Sequence, residues 1–288
     1  KDLEKELARA GFQLSPANSI NIGRLVPQVV YYVYAYCKLL ANEVIADGEE
    51  INVVVPTGNF GNILAAYFAK RIGLPVKKLI CASNENKVLY DFFSTGTYDR
   101  RREFILTNSP SMDILISSNL ERLIYLSTGC DARADQELMR ELSEEGSYQA
   151  TDSMRAFMSD FWGGFASQEE SDGAIRRIFE DCGYLIDTHT GVAAAVYEKY
   201  KKETGDEAVT VIASTASPYK FAPSVMAAIK GREAVRDMDE FAVVDALSGL
   251  SGTPVPQAVN EIRTAPILHS RECAPEEMEN LVRDVLGV

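Results

Sequence analysis

Apolar positions along this chain change period several times, and each change marks an element. Leu3 and Leu7 share one face of the charged run at 2–9, which predicts the end of a helix stopped near Gly11. Leu25, Val29, Val33, Tyr36, Leu40 and Val44 then recur at helical spacing, so a long buried helix is expected, with Asn18 or Ser19 as its cap. The tyrosines at 31, 32, 34 and 36 belong to this helix, and since successive residues face different ways, packing with hydroxyls on polar partners is the expected use of them rather than base stacking. At 53–55 the pattern becomes a short continuous run, as in a buried strand, and at 63–72 it returns to helical spacing until Gly73 and Pro75 end it. Residues 78–82 read as a second strand. Strand, helix, strand over this length is a βαβ unit, so the strands pair in parallel. Residues 209–213 are a further short strand.

The stretch between, about 98–181, reads as largely helical, with helices at 112–125, 134–145 and 171–182. A helix at 191–203 returns the chain to the sheet. Past Gly231 come helices near 239–247, stopping around Gly249, and at 275–286, where Pro275 suits the first turn and Glu276 and Glu277 its positive end. The fold class is therefore α/β with a parallel sheet.

Three strand ends carry polar turns: Gly58-Asn59-Phe60-Gly61-Asn62, Ser83-Asn84-Glu85-Asn86 and the run from Ser214 to Pro218. Ligands in open α/β sheets sit beyond the carboxyl ends of strands, so the three turns are expected to share one site. The first also opens a helix. Glycine lets backbone approach a ligand, and unpaired amides at a helix start favour an anion. No Lys-Ser or Lys-Thr follows the second glycine and there is no G-x-G-x-x-G, so neither common nucleotide loop is present. On spacing alone, a phosphate site and an ordinary strand-to-helix turn stand equal.

Composition narrows the field. At 288 residues with a formal net charge of −13, the chain can bury a sizeable core and is no general nucleic-acid binder, which needs a basic face. A small anion held by backbone amides is still compatible. Five scattered cysteines (37, 81, 130, 182 and 273) with no C-x-x-C read as reduced thiols, mostly packing residues, and no His/Asp/Glu/Cys cluster has metal-ligand spacing. No run of about 20 apolar residues offers a membrane span, and cytoplasm is the default expectation.

The turn Pro56-Thr57-Gly58-Asn59-Phe60-Gly61-Asn62 resembles the phosphate loop of fold-type-II pyridoxal-phosphate (PLP) enzymes, and the chain more narrowly resembles the threonine synthase family. Further matching runs follow in order: Ser19-Ile20-Asn21 with Arg24, Ser83-Asn84-Glu85-Asn86, the run from Ser109 through Ser117-Ser118-Asn119 to Arg122, Asp187-Thr188-His189-Thr190, and the run from Ser214 to Phe221. Together they cover roughly residues 15–221. The resemblance implies a tryptophan-synthase-β-like large domain at 1–98 and 182–230, a mostly helical insertion at 99–181 and a C-terminal helical segment at 231–288. It implies PLP as cofactor, O-phospho-L-homoserine as a small phosphorylated substrate, and L-threonine and phosphate as products, with a homodimer plausible for relatives. The family's Ser-Phe-Lys-Asp-like segment, whose lysine forms the Schiff base, has no match here. The chain is accordingly read as a C-terminal part that lacks this segment, inactive alone, with the N-terminal part of the same protein as partner.

By that resemblance Gly58, Asn59, Phe60, Gly61 and Asn62 hold the cofactor phosphate, mostly through the main chain. A hydroxyl meets the pyridine nitrogen: Thr215 first, Ser214 second, against the alternative of a turn residue capping the next helix. Asn21, Arg24 and His189 are candidate substrate contacts, although His189 reads more simply as a structural histidine. Many relatives carry His at the position of Ser217 and Ala at that of Tyr219, a departure that counts against an acid–base role there but not against the fold. Lys220 matches a different motif from the family's Schiff-base lysine and reads as a surface lysine. Arg122 is expected to pair with Glu85 or Asp113, and His269 is incidental. Competing readings are a related PLP lyase, such as a threonine dehydratase or phospholyase, and a non-catalytic phosphate-ligand module or regulatory homologue.

Overall fold

β1 (Ile51–Pro56) is buried at every position, and it pairs in parallel on both sides. One neighbour is β2 (Val76–Ser83), in register Val53 to Leu79 and Pro56 to Ala82. After the short antiparallel pair β3 (Thr97–Asp99) and β4 (Ser147–Gln149), the chain adds β5 (Phe161–Phe165) beside β2 and β6 (Thr210–Ile212) beside β1. The parallel sheet therefore runs β5-β2-β1-β6. The structure, a computed structural model, describes residues 2–288.

Alternation along the central strands divides the core in two. Val53, Val55, Leu79 and Cys81 point to one face and pack with α3 (Val29–Ala41), α4 (Gly61–Arg71), α5 (Val88–Thr95), α6 (Leu120–Ser127) and α8 (Asp152–Phe157). Val54, Ile80 and Ala82 point to the other and pack with α9 (Gln168–Cys182), α10 (Thr188–Thr204), α11 (Ala222–Lys230) and α12 (Glu240–Ser251). The remaining helices are α1 (Asp2–Arg9), α2 (Ile22–Leu25), α7 (Ala132–Glu144), α13 (Gln257–Ile262) and α14 (Met278–Leu286). An Arg283–Glu6 ion pair of 2.9 Å joins the last of these to the first. The α/β class with a parallel sheet, expected from the pattern, is the fold observed.

Several local expectations are corrected. The single long helix over 25–44 is three pieces, α2, a 3-10 turn at Val26–Gln28 and α3, because Pro27 lacks the N–H a continuous helix needs. Its buried stripe is narrow: Tyr32 and Tyr36 are buried, while Val33, Val44, Tyr31 and Tyr34 are exposed. The helix expected at 112–125 begins only at Leu120. Before it, Pro110–Met112 is a 3-10 turn, and Asp113 accepts from the Thr107 amide (2.9 Å) and hydroxyl (2.7 Å), a local set of bonds that competes with helix formation. α12 runs through Gly249 and stops at Gly252, whose positive φ closes it. Only Cys81 of the five cysteines packs inside, where burial pushes its thiol up to about 12; the other four are exposed. The segment 99–181 supplies β5 to the edge of the main sheet as well as its helices.

Candidate anion-binding site

At the carboxyl ends of β1 and β6 lies a cavity of about 1010 Å³. Its walls include all of Gly58, Asn59, Phe60, Gly61 and Asn62, and also Arg24, Ser214 and Thr215. The loop owes its shape to three features. Phe60, the N-cap of α4, has φ 62° and ψ 1°, a left-handed conformation that a non-glycine residue adopts only under constraint. Its ring supplies one constraint: it is 1% exposed and packs 6.0 Å from Phe93 and 5.7 Å from Phe161. Gly58 supplies closeness, since a Cβ there would stand 2.3 Å from the Ser111 carbonyl oxygen.

The third feature is the direction of the carbonyls. Ser117 Oγ donates to Gly58 O (2.7 Å), and Asn119 donates to Asn59 O from both its side chain (2.8 Å) and its backbone (3.1 Å). The amides of Gly58, Asn59, Phe60, Gly61, Asn62 and Ile63 have no hydrogen-bond partner among the described residues, and no side chain caps α4. Unpaired amides gathered at a helix start make a binding site for an anion. The rest of the cavity agrees with that charge. Among the described residues its lining holds Arg24 and no carboxylate, in a chain of 42 acidic residues.

The structure sorts the other sequence candidates. Asn62 lines the cavity, but its side chain is committed elsewhere: Oδ1 accepts from the Tyr32 hydroxyl and Nδ2 donates to Gln28 Oε1 (2.8 Å). Burial pushes the Tyr32 phenol well up, so it stays a donor. Arg24 lines the cavity, with Nη1 donating to Ala17 O at 2.6 Å. Asn21 is not among the lining residues and caps α2, its Oδ1 accepting from the Gly23 amide (2.9 Å). Thr215 and Ser214 are exposed to the cavity, and Ser214 Oγ lies 3.1 Å from Thr190 Oγ1.

His189 does not line the cavity. It is buried, with Nδ1 3.0 Å from Asp187 Oδ1 and Nε2 accepting from the Ser111 amide at 3.3 Å, so it braces the wall that Ser111 forms. Burial pushes the Asp187 carboxyl up, but hydrogen bonds from His189 and Thr190 outweigh it and hold the group below its usual range. Asn84 does not reach the cavity either, so the three turns do not form one site. Its Nδ2 lies 2.7 Å from Asp113 Oδ1 and 3.0 Å from Ser109 Oγ, and anchors the segment that carries Ser111. Arg122 forms neither expected ion pair; it donates to Asn119 Oδ1 (2.8 Å) and Ile20 O (2.9 Å). Ser217 caps the turn at Pro218–Phe221 and Tyr219 is buried with its hydroxyl on Thr253 O (2.5 Å), so both departures from the family pattern have local structural uses. Lys220 is exposed, with Nζ 5.4 Å from the Phe221 ring centroid. The Ser117-Ser118-Asn119 run is visible in the sequence, but its bonds to the loop are not; only chain geometry joins positions so far apart.

Comparison with known proteins gives a consistent set. A family model described as "Threonine synthase, C-terminal" matches residues 190–281. Threonine synthase-like 1 of Homo sapiens is 44% identical over 225 residues, covering 77% of this chain and 30% of the relative. Threonine synthase of Saccharomyces cerevisiae is 38% identical over 229 residues, covering 74% of this chain and 44% of the relative. Among solved structures, PLP-bound threonine synthase from Brucella melitensis matches with a TM-score of 0.70 and 38% identity over 80% of this chain and 49% of that one. Yeast threonine synthase matches with a TM-score of 0.78 and 31% identity over 99% of this chain and 57% of that one. The chain thus spans less than half the length of the two curated relatives.

Proposed function

This is a threonine synthase-like chain, and on that premise we propose that it supplies the phosphate cradle and the pyridine-side wall of a PLP enzyme that converts O-phospho-L-homoserine and water to L-threonine and phosphate. The observation that carries the proposal is the row of unpaired amides from Gly58 to Ile63 at a cavity that no carboxylate lines among the described residues. That cradle fits a phosphate monoester: it offers donors without acceptors, and Gly58 leaves room for close approach. Bound there, the cofactor supplies an electron sink for charge developing on the substrate carbons.

The chain's own residues do the rest of what can be derived. The loop amides hold the cofactor phosphate. Thr215, with Ser214 beside it, presents a neutral hydroxyl, which suits a pyridine nitrogen better than a carboxylate would if the ring is to remain unprotonated. Arg24, which lines the same cavity, is the cation available to the substrate's own phosphate. Among the described residues no lysine lines the cavity. These 288 residues by themselves are therefore expected to form no threonine, and turnover by them alone would contradict the proposal.

The identity to threonine synthase-like 1, 44% against 38% for the yeast synthase, keeps a second reading in play, a related PLP lyase rather than a threonine synthase. A protein of the relatives' length carrying this chain separates the two. Given O-phospho-L-homoserine, it should release threonine and phosphate in equal amounts and leave L-threonine untouched. Phosphate released without threonine supports the lyase; consumption of L-threonine points to a dehydratase.

A further inference from the structure

We infer that Asn119 is the positioning residue of the cradle, holding the Asn59–Phe60 peptide in its anion-facing orientation and fastening the Arg24-bearing wall to it. This rests on the phosphate reading above and adds the device that maintains the site. Asn119 is 0% exposed. In a trans peptide the carbonyl and the amide point opposite ways. Fixing Asn59 O toward Asn119, by bonds of 2.8 and 3.1 Å, therefore aims the Phe60 N–H into the cavity. Ser117 Oγ, 2.7 Å from Gly58 O, does the same for the Asn59 N–H.

A restraint is needed here because the orientation is strained. Phe60 sits at φ 62°, and rotating the Asn59–Phe60 peptide by half a turn would return it to negative φ. The same rotation would replace an N–H by a carbonyl oxygen, an acceptor aimed at an anion. Phe60's buried ring holds Cβ and the residues after it, but not the peptide before it. Asn119 does. Its side chain also reaches Ser19 O (3.3 Å), while its Oδ1 accepts from Arg122, whose other nitrogen holds Ile20 O (2.9 Å). One amide group thus donates to both walls and accepts a charged donor behind them. Aspartate lacks the donors, and alanine lacks every one of the side-chain bonds.

The test compares pyridoxine 5′-phosphate with pyridoxine, two probes that differ in the phosphate and carry no aldehyde to react with surface lysines. The quantity read is the ratio of their affinities, measured by calorimetry on the 288-residue chain. Global loosening weakens both probes together and leaves the ratio alone. In Asn119→Ala and Asn119→Asp the ratio is expected to fall about tenfold, the fold-change that accompanies loss of one well-formed hydrogen bond. Ser117→Ala, a milder change that guards against a variant failing to fold, is expected to lower it severalfold. Thr215→Ala should weaken both probes and keep the ratio. A folded Asn119→Ala or Ser117→Ala protein with the wild-type ratio overturns the inference and leaves the phosphate reading standing. A wild-type ratio near one overturns both.

Discussion

Gly58 has no space for a side chain, because the Ser111 carbonyl oxygen occupies the position a methyl would take. Gly58→Ala must move backbone rather than a flexible side chain. It is expected to cost about 1–3 kcal/mol by denaturant unfolding and to weaken phosphate-bearing ligands further by shifting the amides. Gly61 differs: a Cβ there would meet Asn119 Nδ2 at 3.4 Å, an ordinary contact, so Gly61→Ala should be the milder change. Asn62 separates a residue's position from its job. The motif places it in the cradle, yet its side chain serves Tyr32 and Gln28. Asn62→Ala leaves the Tyr32 hydroxyl only its longer bond to Asn62 O (3.3 Å) and is expected to lose about 1 kcal/mol of stability, with little change in the pyridoxine phosphate ratio. The residue types of the loop were legible in the sequence because backbone chemistry is local. The partners of Asn62 and Asn59 were not, because Tyr32 and Asn119 arrive from other elements.

β5 is the element that hydrophobic pattern misses. Its sequence, Phe161-Trp162-Gly163-Gly164-Phe165, carries two adjacent glycines, which ordinarily weaken a strand. The reason for them lies above and below the sheet. A Cβ on Gly164 would meet Trp162 at 2.5 Å and Val196 of α10 at 2.6 Å, and one on Gly163 would meet Phe93 of α5 at 3.0 Å. Gly164→Ala is accordingly expected to destabilise the chain by about 1–3 kcal/mol in urea or guanidinium unfolding, a cost no strand propensity would foretell. The same limit applies to 112–125. Its apolar spacing is helical, but the bonds that Asp113 makes to Thr107, Asn84 and Asn86 keep the first half extended over the strand ends. Where elements are set by their own spacing and caps, as in α9 with its Ser167–Glu170 capping box and α10 with Asp187 at its start, the sequence reading and the structure coincide to within a few residues.

Across the molecule, charge is arranged rather than merely abundant. In a chain of net charge −13, the described carboxylates stay out of the cavity lining and several tie elements together. Asp206 is the clearest case: it accepts from Lys77 of β2 (2.8 Å), Asn52 of β1 (3.0 Å), Tyr200 of α10 (2.6 Å) and the Ala208 amide (3.0 Å). Burial alone would push its carboxyl up, but these bonds together hold it well below the usual range. A carboxyl whose folded pKa is depressed contributes stability that is complete above its unfolded value, about 4, and is lost as pH falls toward the folded value. Asp206→Asn should therefore be less stable than wild type near pH 7. The gap should narrow in unfolding experiments carried down through pH 4 to 3.

The sequence by itself determined the α/β class, the parallel βαβ start and the glycine-bearing turn at a strand end, since each follows from spacing and backbone properties within one short stretch. Tertiary structure decided which turns share a cavity, which side chains aim the loop amides, and why a strained Phe60 and a glycine-rich edge strand are tolerated. Those outcomes depend on atoms from distant segments meeting within hydrogen-bond or van der Waals range, and no local pattern encodes that meeting.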